Sequence, residues 1–418
     1  MSGRPDITTL WESGPGVIDP PWDTGAFTEE RLFTLACTAA ATRTTLPDPQ
    51  DVRLFTDDNI VNPTQLDPYL PDRGLDSGFA GYADRLRGQV RSFALTVNSL
   101  QQFDWDFWRV LRRQADAVVA ATGSGPAGGV DCHLIASAYG TAPTLIHKDT
   151  AGVFTHVISG TKRYYTWPFE VFGRVAGAEA IQRQVNLPSS VRVEDHRDTA
   201  TVVEGGAGTV MYWPSDRWHC ATSDGAATVS LHMAYYQWDD RLATVLRRLR
   251  KQAEADLGVA RFLGGTPGEE DTDRADAVEA AVRKALTRVL EGTGLDLQTR
   301  LSRLRRRTAS NFEVVPPPRP CPGLTATDPL TVPDVSAVAT LVVDDTTYLA
   351  ANGHVMRVRG GGWLDGFLAT LEPGTTRTLA GWSETMRASG GPPGLAEAAT
   401  LMRELVRRGA LDQERTTS

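Results

Sequence analysis

Lysine is scarce in this chain of 418 residues. Only Lys148, Lys162, Lys251 and Lys284 among its 43 basic side chains are lysine; the rest are arginine. Long apolar runs are missing as well. No stretch reaches the roughly 18 apolar residues of a membrane-spanning helix, and Met1 to Trp11 lacks the basic-then-apolar pattern of a secretion signal. Cysteine is sparse: Cys37, Cys132, Cys220 and Cys321 lie far apart with no CxxC pair. That spacing excludes a zinc knuckle or a thioredoxin-like redox motif and predicts reduced, buried thiols in a cytoplasmic protein. Basic excess is absent too, with 51 acidic residues and a net charge of −8, which argues against a dedicated nucleic-acid binder. What is present suffices for folding: 41% hydrophobic residues build real cores, and the length allows two to four domains.

The texture changes four times along the chain. Residues 1–125 are mixed. A helix is expected over Thr28–Thr42 and another over Phe103–Ala121, with a short strand at Phe93–Val97 between them; 51–90 reads as loop-heavy. From 126 to 238, β-branched and aromatic runs alternate with glycine-bearing turns. Cys132–Tyr139, Val153–Ser159, Arg163–Trp167, Thr199–Val203, Thr209–Trp213 and Ala227–Gln237 read as strands, and so many short strands predict a β-barrel or sandwich. Residues 239–315 return to helical periodicity, over Asp240–Leu263 and Ala275–Arg307. A proline-rich linker, Pro316 to Pro322, leads to 323–418. There a hairpin, Ala339–Leu349 with Val355–Val358 turned near Asn352-Gly353, and helices Leu364–Leu371 and Leu395–Gly409 fit a small winged-helix-like domain.

The chemistry concentrates in the β-rich segment. In His147-Lys148-Asp149, residues two apart on a strand share a face, so His147 and Asp149 reach one ion while Lys148 points away without an evident role. His219, after the strand ending Val210-Met211-Tyr212-Trp213-Pro214, is the candidate third ligand. Two histidines and one carboxylate leave open positions on an octahedral ion, the facial triad of non-haem Fe(II) oxygenases, whereas a closed structural zinc site wants four ligands. A second HxD, His196-Arg197-Asp198, sits in a charge-rich surface loop without a downstream partner. Beyond a turn at Gly160, Lys162 and Tyr164 alternate onto one strand face. A lysine facing a barrel interior needs a compensating anion. A dicarboxylate supplies one, and the Thr144 hydroxyl is placed to help hold it.

Together Thr144, His147-x-Asp149, Gly160-x-Lys162, Trp167-Pro168, Gly208-Thr209-Val210-Met211-Tyr212-x-Pro214 and Trp218-His219 resemble the JmjC/cupin-type 2-oxoglutarate oxygenases, nearest their asparaginyl-hydroxylase and ribosomal-oxygenase branch. The resemblance spans about 100 residues, roughly 130–238. It implies a mainly β catalytic core (a double-stranded β-helix, or jelly roll) flanked by the N-terminal α/β elements. It also implies a helical dimerisation region at 239–315, a winged-helix-like C-terminal domain and a homodimer. It implies Fe(II) held by His147, Asp149 and His219, with 2-oxoglutarate and O2 as co-substrates. The far carboxylate of 2-oxoglutarate would lie on Lys162 and Thr144, with Tyr164 and His232 as further contacts. Two positions depart from the pattern: Val153 and His232 stand where some members carry asparagine. His133 and His156 read as structural and His354 as exposed. The implied activity is hydroxylation of an amino-acid side chain in a protein or peptide, a ribosomal protein or a peptide natural product among the options, with succinate and CO2 as co-products. No membrane or nucleic-acid partner is expected. Two other classes stay open: a metal-dependent cupin that does not use 2-oxoglutarate, and a winged-helix regulator.

Overall fold

The computed structural model describes residues 5–45, 51–57, 59–177, 183–238, 279–280, 283–284, 287, 294–321, 323–358, 361–392 and 394–413. The helix expected over Asp240–Leu263 lies outside the described residues, as does most of the proposed dimerisation segment 239–315. The chain forms two compact units. One comprises 1–238, 309–320 and 407–409, and the other the remainder. No helix among the described residues is long and apolar enough to cross a membrane.

The first unit is built on two antiparallel sheets. Its strands are β1 (Gly16–Ile18), β2 (Val52–Thr56), β3 (Asn59–Ile60), β4 (Phe93–Val97), β5 (Gly129–Ala138), β6 (His147–Lys148), β7 (Ala151–Ser159), β8 (Thr161–Trp167), β9 (Val185–Asn186), β10 (Thr201–Gly206), β11 (Val210–Trp213), β12 (Trp218–Thr222) and β13 (Thr228–Tyr236). The larger sheet runs β1-β11-β7-β13-β5-β4-β2-β3 and the smaller β10-β8-β12-β6-β9. Strands β7 and β13 are nearly all buried because both of their faces are covered, and β5 is buried along one face and partly along the other. The interior face carries Val153, Val157, Tyr164, Val203, Met211 and Trp213. The opposite face, with Phe154, Leu134 and Leu231, shares one core with helix residues such as Phe107. This is the β-rich core expected from the alternating runs, and the strand read at Phe93–Val97 is observed with those bounds.

The helices begin where their caps dictate. Thr28 caps Glu29–Thr42 by accepting from the Arg31 amide. Asp104 caps Trp105–Thr122 by accepting from the Phe107 amide at 2.5 Å, and its Oδ1 also takes the Arg31 guanidinium at 2.9 Å. The apolar stripe of that helix, Phe107, Leu111 and Val118, is fully buried. The loop-heavy reading of 51–90 is corrected. That stretch holds β2, which pairs with β4, and a helix, Phe79–Arg87. The glycine, proline and aspartate around them mask elements that tertiary pairing stabilises.

In the second unit, helix Gly294–Thr308 places Leu301 and Leu304 against Tyr348 and Ala350 of a three-stranded sheet. The expected strand Ala339–Leu349 is two strands, Val338–Val343 and Thr346–Ala351, turned at Asp344 with φ 51°. The turn at Asn352-Gly353 then leads to His354–Val358, with φ 48° and 85° as a tight hairpin turn requires. His354 is half-buried rather than exposed. Helices Trp363–Leu368, Leu379–Ala388 and Leu395–Arg407 enclose Phe367, Trp382 and Met402. The middle helix was not expected from the sequence.

Removing the cap and ion pair with Asp104→Ala is expected to cost about 1–2 kcal/mol of stability. Urea unfolding of the variant against the parent checks this, and an unchanged midpoint contradicts it.

Candidate metal and anion site

Antiparallel pairing brings His147 and His219 together. Strand β6 is only two residues long, and its His147 stands directly opposite His219 on β12. Asp149 follows one residue past the end of β6. The ring centroids of the two histidines are 4.2 Å apart, and His219 Nε2 lies 3.5 Å from Asp149 Oδ2. One ligand atom from each of His147, Asp149 and His219 can be chosen within 4.8 Å of the others. Among the described residues, no other group of three His, Cys, Asp or Glu side chains does this.

The protonation states suit a cation. His147 Nδ1 lies 3.1 Å from the Leu145 carbonyl, and His219 Nδ1 lies 3.4 Å from the Arg217 carbonyl. A carbonyl only accepts, so Nδ1 of each ring is the donor and Nε2 is the nitrogen left to face an ion. Burial, reinforced by the neighbouring His147, pushes the His219 pKa down to about 3. Burial alone would raise the Asp149 pKa, but His147, His219 and His133 together outweigh it and hold the carboxyl below its ordinary value. A neutral His219 and an ionised Asp149 are the forms in which these two groups ligate a metal. The donor set therefore fits an open-sided divalent ion.

Lys162 provides the second half of the site. It lies on β8, with Tyr164 and Thr166 on the same face, and Thr166 pairs with His219 across the sheet. Four residues of strand thus separate the His219 row from Lys162, about 13 Å between backbones. The lysine side chain and a short dianion can fill that distance. Lys162 is fully buried. Its Nζ donates to Ser137 Oγ at 2.7 Å and to the Tyr139 hydroxyl at 2.8 Å, and stands 4.4 Å from the Tyr139 ring centre. Among the described residues no carboxylate pairs with it. Burial accordingly pulls its pKa down to about 7.

Across the interior, His232 on β13 is fixed by Ser230 Oγ at 3.0 Å from Nε2 and by Thr155 Oγ1 at 3.3 Å from Nδ1. The Tyr164 hydroxyl comes to 3.5 Å from His232 Nε2, so the two candidate contacts meet across the sheets. Burial first, then the Lys162 charge, push the His232 pKa well below its ordinary value, and the ring is neutral. Trp213 packs between the two halves of the site, 5.0 Å from the His219 ring and 4.5 Å from the Tyr164 ring.

Thr144 lies in the turn before β6, where its carbonyl accepts from Asn186 Nδ2 at 3.5 Å. Its side chain makes no hydrogen bond to Lys162; Ser137 and Tyr139 fill that place. Sequence reasoning missed both. They stand two apart, Ser137 near the end of β5 and Tyr139 one residue past it, so alternation continued from the strand could have flagged them as one polar face. Lys148 points off the ligand face, as alternation requires, but it is fully buried. His133 is held by Asn98 at 3.0 Å, and His156 is buried beside Phe27. His196 and Asp198 lie on a single 3-10 segment, Val193–Thr199, with Asp198 exposed and no third ligand group.

No protein-family model matches the chain, and no curated protein matches it. Among solved structures it is similar to the X-ray structure of E. coli ycfD, at 15% identity and a TM-score of 0.44. It is also similar to the crystal structure of Escherichia coli ribosomal oxygenase YcfD, at 14% identity and 0.45. A third is that ribosomal oxygenase in complex with cobalt and 2-oxoglutarate, at 14% identity and 0.42. Each alignment covers 97% of this chain and 96% of the other.

The Lys162 pKa sets a pH dependence. Between about 7 and the ordinary 10.5, the unfolded chain holds a proton that the folded protein does not. The ligand-free protein should therefore gain stability as pH rises through that window. Thermal melts at pH 6.5, 8 and 9.5 should show the rise in the parent and a flatter profile in Lys162→Met. Identical slopes in both proteins would contradict the assignment.

Proposed function

We propose that this protein is an Fe(II)- and 2-oxoglutarate-dependent oxygenase that hydroxylates an amino-acid side chain in a protein or peptide. One observation carries the reading: a fully buried lysine, with no carboxylate partner among the described residues, shares one strand-paired face with a two-histidine, one-carboxylate donor set. A metal-dependent cupin that does not use a dicarboxylate has no use for such an ammonium. The motif resemblance to protein-directed oxygenases supports the substrate class. Four free thiols fit a reduced, cytoplasmic setting, and the same reading includes a homodimer assembled through 239–315.

His147, Asp149 and His219 would hold the metal on one side and leave the other open to ligands. When bound, the iron and 2-oxoglutarate supply the oxidation: O2 delivers one oxygen atom to the substrate C–H and one to succinate, with CO2 released. The protein binds and orients. Lys162, donating also to Ser137 and Tyr139, would pair with the C5 carboxylate in a charge-assisted contact strengthened by burial. Thr144, Tyr164 and His232 are the further contacts in this proposal. His232 is neutral and held by Ser230 and Thr155, so it offers a fixed polar edge rather than a competing charge. Trp213, Tyr164 and Met211 exclude water around them.

The purified protein with Fe(II), ascorbate and 2-oxoglutarate should form succinate, and His147→Ala should reduce it to background. Absence of succinate from the wild type under these conditions overturns the assignment. Lys162→Met should raise the 2-oxoglutarate KM by at least tenfold while leaving metal binding intact. In the wild type, 2-oxoglutarate affinity should weaken as pH rises above about 7, because the free-protein lysine loses its proton there. Titration calorimetry on the Co(II)-loaded protein at pH 6.5 and 8.5 checks this sign.

A further inference from the structure

Lys148 has no place in the chemistry described so far, yet it is one of only four lysines and is fully buried. It sits between two proposed metal ligands in sequence, on the opposite face of β6. Its ammonium donates to the Asp149 carbonyl at 2.8 Å and to the Ser215 carbonyl at 3.2 Å. Asp149 stands just beyond a strand of two residues, so β6 itself does little to fix its backbone. Ser215 belongs to the turn between β11 and β12, four residues before His219. The lysine therefore bridges the two chain segments that deliver the carboxylate and the second histidine.

The far side of this bridge is braced by the N-terminal segment. The Ser215 hydroxyl donates to Glu12 Oε2, and the Tyr212 hydroxyl donates to Glu12 Oε1, each at 3.3 Å. The Glu12 amide donates back to Tyr212 at 3.1 Å. Glu12 adopts φ 51°, a left-handed backbone that a non-glycine residue takes only when its surroundings impose it. Trp11, stacked on Tyr212 and Phe154, and β1, paired with β11, impose it here. A side chain at position 152 would crowd this junction, since its Cβ would stand 3.2 Å from the Tyr212 hydroxyl and 3.3 Å from Glu12 Oε1.

We propose that Lys148 is a positioning residue: it locks the Asp149 backbone to the β11–β12 turn, so that the carboxylate and His219 are held at metal-binding separation before any ion arrives. Glu12 supports it by anchoring Ser215. This rests on the metal site of the proposed function but not on the oxidation. A buried charge often contributes little net stability, and replacing it with an apolar side chain of similar length need not unfold a protein. A purely structural Lys148 and a positioning Lys148 therefore differ in metal binding, not in folding.

The test is Co(II) binding to the full chain, read by titration calorimetry and by the visible d–d absorption of the bound ion. Folding is checked separately by circular dichroism and thermal melting. Folded Lys148→Met should bind Co(II) about tenfold or more weakly, the range seen when outer partners of metal ligands are removed. Its absorption band should be shifted. Glu12→Ala should weaken binding two- to threefold, and this variant decides the matter if Lys148→Met does not fold. Wild-type affinity and an unchanged band in folded Lys148→Met overturn the proposal, as they do in Glu12→Ala if only that variant folds. A wild type that binds no Co(II) overturns both this proposal and the proposed function. A wild type that binds Co(II) but forms no succinate overturns only the oxygenase.

Discussion

A buried ammonium that meets no carboxylate among the described residues is the constraint on which the rest of this site depends. Lys162 is fully enclosed, donates to the Ser137 and Tyr139 hydroxyls beside the Tyr139 ring, and is pulled down to about pKa 7 by desolvation. A lysine placed there for packing alone would cost stability that an apolar residue would not. An arriving dianion changes the balance, because each charge then compensates the other in a low-dielectric interior. Ser137 and Tyr139 accept hydrogen bonds from the ammonium, and in the proposed reading they hold it ready for the dianion.

Sheet register gives this constraint its reach. Strands β6, β8 and β12 are neighbours in one sheet, so the positions of His147, His219, Thr166 and Lys162 follow from pairing rather than from loop conformation. Strand-borne groups are held more precisely than loop-borne ones. Asp149 is the exception, being one residue beyond a two-residue strand. Its surroundings are accordingly denser in specific contacts, with Lys148 behind its backbone and His219 before its carboxylate. The larger sheet supplies the neutral wall opposite, through His232, Ser230 and Thr155.

Much of this was legible in the sequence because it is local. The HxD pair, the downstream Trp218-His219 and the alternation of Lys162 with Tyr164 need only the two-residue period of a strand. Phe93–Val97 could be read from β-branched and aromatic content. Other features depend on partners distant in sequence. Ser137 lies on a strand of the other sheet from Lys162 and Tyr139 just past its end, and nothing in the spacing joins them to Lys162. The burial of Lys148 depends on a turn some 70 residues further on. Strand β2 and helix Phe79–Arg87 were hidden among turn-forming residues, and they exist because β4 and the apolar core receive them. The split of Ala339–Leu349 into two strands was missed because Asp344-Asp345 is a turn without glycine.

The central claim is that the triad and Lys162 bind one metal–dicarboxylate unit. Anaerobic titration of the Fe(II)-loaded protein with 2-oxoglutarate tests it most directly, because bidentate chelation of Fe(II) by a keto acid produces a visible charge-transfer absorption. The account predicts that this absorption grows to one equivalent in the wild type, is lost in His219→Ala, and needs far more 2-oxoglutarate in Lys162→Met. Fe(II) bound at one equivalent with no absorption on adding 2-oxoglutarate would contradict it.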